Sequence, residues 1–168
     1  VEFKKPIENI FSVVSVINEW RLSNRWMMLG YEAAASEMHL WSAWYALRLR
    51  ETRGSMIAKT PDTEFLRMIS GTRQISKCFD RAGLGVGDER AWIVMLPDSD
   101  IGNSFGTYEI PLDGYNDATE EAYRLIEHLD AKLVPSRPMP SINGLRRIGA
   151  DYDEGPGKSG IEDSFLSH

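Results

Sequence analysis

Residues Glu64–Gly83 read EFLRMISGTRQISKCFDRAG. Ser70-Gly71-Thr72 breaks this stretch into two short helices. In the second, Ile75, Phe79 and Ala82 recur at helical spacing, and Arg73, Gln74, Lys77 and Arg81 occupy the polar side. One face therefore packs and the other is left to bind something. Arg73, Lys77 and Arg81 follow at i, i+4, i+8 and form one stripe. With Thr72 as cap, Arg73 and Gln74 are expected in the first turn after Gly71, where unpaired N–H groups and the helix dipole favour an anion. Solvated basic faces usually do nothing specific, but this one combines a stripe with a helix start.

The surrounding composition sharpens that feature. A chain of 168 residues suits one domain with a substantial core, and an apolar share of 42% with five tryptophans excludes disorder of the main body. The formal net charge is −6, yet residues 48–81 hold eight Lys/Arg against four Asp/Glu, a net of +4 that leaves −10 elsewhere. Arg50, Arg53 and Lys59 extend the basic patch beyond the helix. A local patch on an acidic body grips a few phosphates without making a general nucleic-acid binder. Cys78 is the single cysteine, so no internal disulfide forms and a reducing, cytoplasmic setting is expected. Its helical context suggests a buried apolar thiol rather than a nucleophile. No stretch reaches the roughly 20 apolar residues of a membrane span, and Val1–Lys5 does not have the form of a signal peptide.

Outward from this centre, residues 2–5 suit a short strand, and Pro6 opens a helix over 7–22 with Ile10, Val13, Val14 and Ile17 on one stripe. Trp26–Tyr31 (WMMLGY) and Ala91–Leu96 (AWIVML) are continuous apolar runs, the marks of buried strands. Met56-Ile57-Ala58 is a weaker strand candidate. Ser36 caps a helix over 37–52 that ends at Gly54, and Thr60-Pro61-Asp62 has the form of a helix start. Residues 98–117 suit a loop with Tyr108–Leu112 extended, and Asp117–Leu133 an acidic helix with Ala122, Leu125, Ile126 and Leu129 inward. Helices and strands without a regular alternation predict an α+β fold: one domain over 1–134, several helices on a small mixed or antiparallel sheet. Residues 135–168 form a Pro/Gly-rich extension with short helical pieces at 145–148 and 161–166.

The helix over 37–52 has two apolar stripes, Leu40/Trp44/Leu47 and Met38/Trp41/Tyr45, and a small-residue side bearing His39, Ala43, Ala46 and Arg50. It is either a core helix packed closely at its alanines, or it offers a groove bordered by His39 and Arg50. Other motifs fail on spacing. Gly157-Lys158-Ser159 lacks the glycine a phosphate loop needs five positions earlier, where Tyr152 stands. Gly83-Leu84-Gly85-Val86-Gly87 follows a helix and precedes a strand, the reverse of the dinucleotide-binding order. His39, His128 and His168 have neither a second ligand at i+4 nor a cysteine partner, so no metal or cofactor is expected. No serine sits in a nucleophile frame. A small enzyme acting on a phosphorylated metabolite at Thr72–Gln74 would lack a nearby base or nucleophile.

The run Glu64-Phe65-Leu66, then Ser70-Gly71-Thr72-Arg73-Gln74-Ile75, then Gly83, resembles the signature of the small kinase-binding subunit of the KEOPS complex. His39, Ala43, Ala46 and Arg48 on the preceding helix agree with that family, as does the order helix, strand, helix, paired helices, strand. The resemblance covers about 2–97, grows vague over 98–140 and returns weakly at Arg147-Ile148-Gly149-Ala150-Asp151. Cys78 and Phe79 depart from it, standing where smaller aliphatic residues are expected. It implies a non-catalytic subunit that docks on a small atypical protein kinase/ATPase. That complex makes threonylcarbamoyl-adenosine in tRNA, and the subunit helps recruit tRNA through its single-stranded 3′ CCA end. A single-stranded end needs a few cations and flat groups for stacking. Arg50, Arg53, Lys59, Arg73, Lys77 and Arg81 with Gln74 are the candidates for the first, and His39 or Trp41 for the second. Met38, Trp41, Tyr45 and Ile75 are the candidate apolar contacts for the kinase. The alternative is a protein–protein adaptor that docks on a kinase with no RNA contact.

Overall fold

The computed structural model describes residues 1–101 and 112–150. The helical piece expected at 161–166 and most of the extended 108–112 lie outside these. The Asn9 side chain accepts a hydrogen bond from the Phe11 N–H at 2.9 Å, so the first helix, α1, covers Ile10–Trp20. A capping side chain outranks Pro6 as the start signal, and the helix is shorter than the 7–22 expected. β1 is Glu2–Phe3 only; β2 spans Trp26–Gly30, followed by a single 3₁₀ turn at Tyr31–Ala33. Ser36 caps α2, Glu37–Thr52, by accepting from the His39 N–H at 3.1 Å, as the sequence predicts. Pro61 opens α3, Pro61–Ile69, although Thr60 makes no side-chain cap bond. Then follow α4 (Ile75–Ala82), β3 (Ala91–Met95), α5 (Leu112–His128), β4 (Ala131–Lys132) and α6 (Ile142–Ile148).

The chain is α+β, with two small antiparallel sheets among the described residues. β2 and β3 pair in register from Trp26 with Met95 to Gly30 with Ala91, and β1 pairs with β4 through Glu2–Lys132 and Phe3–Ala131. A bridge between Glu2 and Arg90 hangs β1 beside the start of β3. All five residues of β2 are buried because its two faces serve two cores. Met27 and Leu29 meet Leu47 of α2, Phe65 and Ile69 of α3, and Leu145 and Ile148 of α6. Trp26 and Met28, on the alternate face, meet Ile17 of α1 and Leu125 of α5. This sandwiching explains why β2 reads as an unbroken apolar run.

Two expectations near the chain's later half are corrected. The acidic helix begins five residues early and stops at His128, because residues 131–132 leave it to pair with β1. Met56-Ile57-Ala58 is not a strand; the Ile57 and Ala58 N–H groups go to a side chain, as described below. Within 135–150, α6 is clipped to the body by Arg147, which donates to the Gly83 carbonyl at 2.8 Å and to both Asp88 carboxylate oxygens at 2.9 and 3.2 Å. That clip crosses Gly30, where a Cβ would lie 2.7 Å from the Gly83 oxygen and 2.9 Å from Arg147 Nη2.

Gly30→Ala is therefore expected to destabilise the chain by on the order of 1–3 kcal/mol, since the backbone oxygen cannot yield. Urea unfolding of the two proteins measures it; equal midpoints would show that β2 moves aside at no cost.

Candidate nucleic-acid and partner interface

The basic turn rests on a buried ion pair. Glu64, in the first turn of α3, is 0% exposed, and Arg67 lies one turn on, also buried. The Glu64 carboxylate accepts from Arg67 Nε at 3.1 Å and Nη2 at 3.0 Å, and from the Ala58 and Ile57 N–H groups at 2.8 and 3.2 Å. Arg50 Nε of α2 stands 3.8 Å from the same carboxylate. Arg67 Nη1 continues the chain by donating to the Thr72 carbonyl at 2.7 Å. Burial by itself pushes the Glu64 carboxyl up, but the Arg67 guanidinium and the two backbone N–H groups outweigh it and hold it below the usual carboxylate range.

The α3–α4 turn differs from its expected form. Gly71 adopts φ +58, the left-handed region that favours glycine, and sends the chain out of α3. α4 starts at Ile75, not directly after Thr72. Thr72 Oγ1 accepts from the Gln74 N–H at 3.2 Å, a local turn that competes with helix, and Gln74 occupies the cap position without a side-chain cap bond. Arg73 and Gln74 therefore precede the first turn instead of lying in it, and both are exposed. Lys77 is exposed on α4. Arg81 leaves the expected stripe: it is half-buried, packs against the backbone of Gly149 and donates to the Ser70 carbonyl at 3.4 Å. It ties α4 to α6 and is not a freely presented cation.

Of the eight cations in 48–81, Arg48 and Arg67 are buried against Glu51 and Glu64. Arg48 also donates to the Asp98 carbonyl, fastening α2 to the 97–99 segment where Trp44 Nε1 reaches the Pro97 carbonyl. Arg50, Arg53, Lys59, Arg73 and Lys77 keep access to solvent. Glu64 and Arg67 bring three of these segments together: Arg50, the loop ending at Lys59, and the turn bearing Arg73. The Met38/Trp41/Tyr45 stripe is not part of that group. Arg50 lies nine residues beyond Trp41, about 180° around the helix. Met38 is 58% exposed, Trp41 borders on exposed and Tyr45 is half-buried, so this stripe forms a separate surface, with α3 standing between α2 and Ile75. His39 is corrected: it is 5% exposed and its Nδ1 accepts from the Ala35 N–H at 3.3 Å, so its ring is a core group and not a stacking platform. The core reading of α2, packed at Ala43, holds.

α4 also reveals a surface that sequence periodicity missed. Cys78 and Ala82 form its buried face, whereas Ile75 and Phe79, expected to pack, are exposed, Phe79 by 47%. Phe79 lines a groove of about 400 Å³ between α1, α3 and α4, with Val14, Ile17, Leu66 and Leu84, and with Asp80 and the Arg21–Asp62 ion pair (2.6 Å) supplying polar groups. At about 100° per residue, Phe79 and Lys77 fall on opposite flanks of the buried Cys78/Ala82 line. One flank of α4 is apolar and the other cationic. The departure of Phe79 from the expected small aliphatic residue was the available signal.

Two measurements test this construction. The Glu64 carboxyl is lowered in the folded state, so its contribution is present above the ordinary carboxylate range and lost as pH falls through the lowered value. The stability gap between the chain and Glu64→Gln is expected to be wide at neutral pH and to narrow as pH falls into and below the ordinary carboxylate range; a gap independent of pH would show that the charge is not used. Burial pushes the Cys78 thiol up to about 11. Iodoacetamide at about pH 8 is expected to leave it unmodified in the folded chain and to alkylate it in denaturant, with mass spectrometry as the readout. No protein-family model and no curated protein matches the chain.

Proposed function

We propose that this chain is a non-catalytic subunit of a KEOPS-type tRNA-modification complex. In this reading it binds the small atypical kinase/ATPase and helps recruit tRNA through the 3′ CCA end, in the cytoplasm. The observation that carries the reading is the turn Ser70–Ile75, whose Arg73 and Gln74 stand exposed on a buried ionic support in an otherwise acidic protein. Arg50, Lys59, Arg73 and Lys77 supply cations for the few phosphates of a single-stranded end. His39 lies in the core and Trp41 stands about 180° around α2 from Arg50, so neither of the two expected stacking rings lies beside these cations. The apolar groove beside Phe79 suits a protein partner, being an exposed apolar surface rimmed by charge. This divides the labour of α4, one flank to each partner.

The groove is also the observation that favours a second reading, an adaptor that docks on a kinase and ignores RNA. Gel-shift titration of intact tRNA and of tRNA lacking its CCA, each at two salt concentrations, separates the two. Tighter binding of intact tRNA is expected, weakening with salt by a slope of about 0.7 per phosphate contact, and Arg73→Glu with Lys77→Glu is expected to abolish the preference while the fold persists. Equal binding of both RNAs, or none, would leave the adaptor.

A further inference from the structure

We infer that Glu64 and Arg67 are positioning residues that set the spacing of the cations on the RNA surface, an inference that rests on the function proposed above. Every bond of the pair that leaves α3 ends beside an exposed cation. The Ile57 and Ala58 N–H groups bound by Glu64 precede Lys59 directly. The Thr72 carbonyl held by Arg67 Nη1 belongs to the residue before Arg73. Arg50 itself stands 3.8 Å from Glu64, its side chain 40% exposed.

Packing alone does not call for this arrangement. An apolar pair of similar volume would fill the site at no desolvation cost, and a buried ion pair is weak support for stability. Neither held segment is helix or strand, so ladder hydrogen bonds do not fix the backbone at 57–58 or at 72. A planar guanidinium fixes direction as well as distance, because Nε and Nη2 take the carboxylate while Nη1 takes the carbonyl. Lysine at this position carries the charge but cannot make all three bonds. The pair thus acts as a spacer of defined length between three cation-bearing segments of separate origin in the chain.

The test uses the full chain and a tRNA transcript ending in CCA. Arg67→Lys, Glu64→Gln, Arg73→Ala, Lys77→Ala and Arg67→Lys/Arg73→Ala are compared at 10 °C, after circular dichroism has verified folding. Arg67→Lys is expected to weaken tRNA binding roughly tenfold and to lower the salt slope by about one single-strand phosphate contact. The double variant is expected to bind no worse than Arg73→Ala, because the two changes remove the same contact. A purely structural role would lower the melting temperature and leave affinity and slope at 10 °C unchanged. That outcome overturns the inference, as do losses that multiply in the double variant, or failure of both Arg67→Lys and Glu64→Gln to fold. If Arg73→Ala and Lys77→Ala themselves leave tRNA binding intact, the RNA reading fails and takes the positioning role with it. If those two weaken binding and Arg67→Lys does not, the positioning role alone fails.

Discussion

The structure around the basic turn depends on one buried carboxylate. Taking a charge out of water costs several kcal/mol per ion even after relaxation, so an acid at zero exposure persists only if its lone pairs are taken up. Glu64 meets that condition with two guanidinium N–H groups and two backbone N–H groups. The exchange is mutual. The 57–58 backbone has no ladder partner, and without Glu64 its N–H groups would be orphaned next to the core residue Ala58. Arg67 does the same for the Thr72 carbonyl at the point where α3 has ended and α4 has not begun. A side-chain pair thereby replaces secondary structure across two irregular segments.

This substitution marks the limit of what the amino-acid pattern conveys. β2, β3 and α2 are legible because their signals are local: apolar runs bounded by polar residues, and a serine whose hydroxyl caps the third N–H after it. Glu64 also appears in the pattern, as the first residue of the run that carries the resemblance and close behind the helix start at Thr60-Pro61-Asp62, where the helix dipole already accounts for an acid. Nothing in its neighbourhood announces that it faces inward and organises residues 57–58. The strand expected at Met56–Ala58 fails for that reason. The start of α4 is misplaced because Thr72 bonds two residues ahead and delays the helix, an outcome of loop geometry that spacing does not encode.

Short helices add a further ambiguity. In the eight residues of α4, apolar positions at i, i+4 and i+7 are compatible with a buried face centred on either side of them. The tertiary contacts choose Cys78 and Ala82, leaving Ile75 and Phe79 outside. The same choice turns Arg81 toward Gly149 and separates it from Lys77. His39 shows the converse effect, a polar residue in a stripe of small ones that the fold buries because the Ala35 N–H needs an acceptor. The groove beside Phe79 joins α1, α3 and α4 and therefore exists only once those helices are assembled.

The pairing of β1 with β4 brings Glu2 to Lys132, partners about 130 residues apart, through only two residue pairs. Closing so long a loop costs entropy that grows with the logarithm of its length, and two pairs return little against it. β2 and β3 close a shorter loop with five pairs and two cores behind them. Opening of this two-pair ladder releases Glu2 from Lys132, while Arg90 and the bond from the Phe3 N–H to the Glu89 carbonyl at 2.9 Å still hold β1 beside the start of β3. Among the described residues those groups share no hydrogen bond with Glu64 or Arg67. The molecule has a soft end and a stiff one, and fraying at the soft end leaves the cationic turn undisturbed.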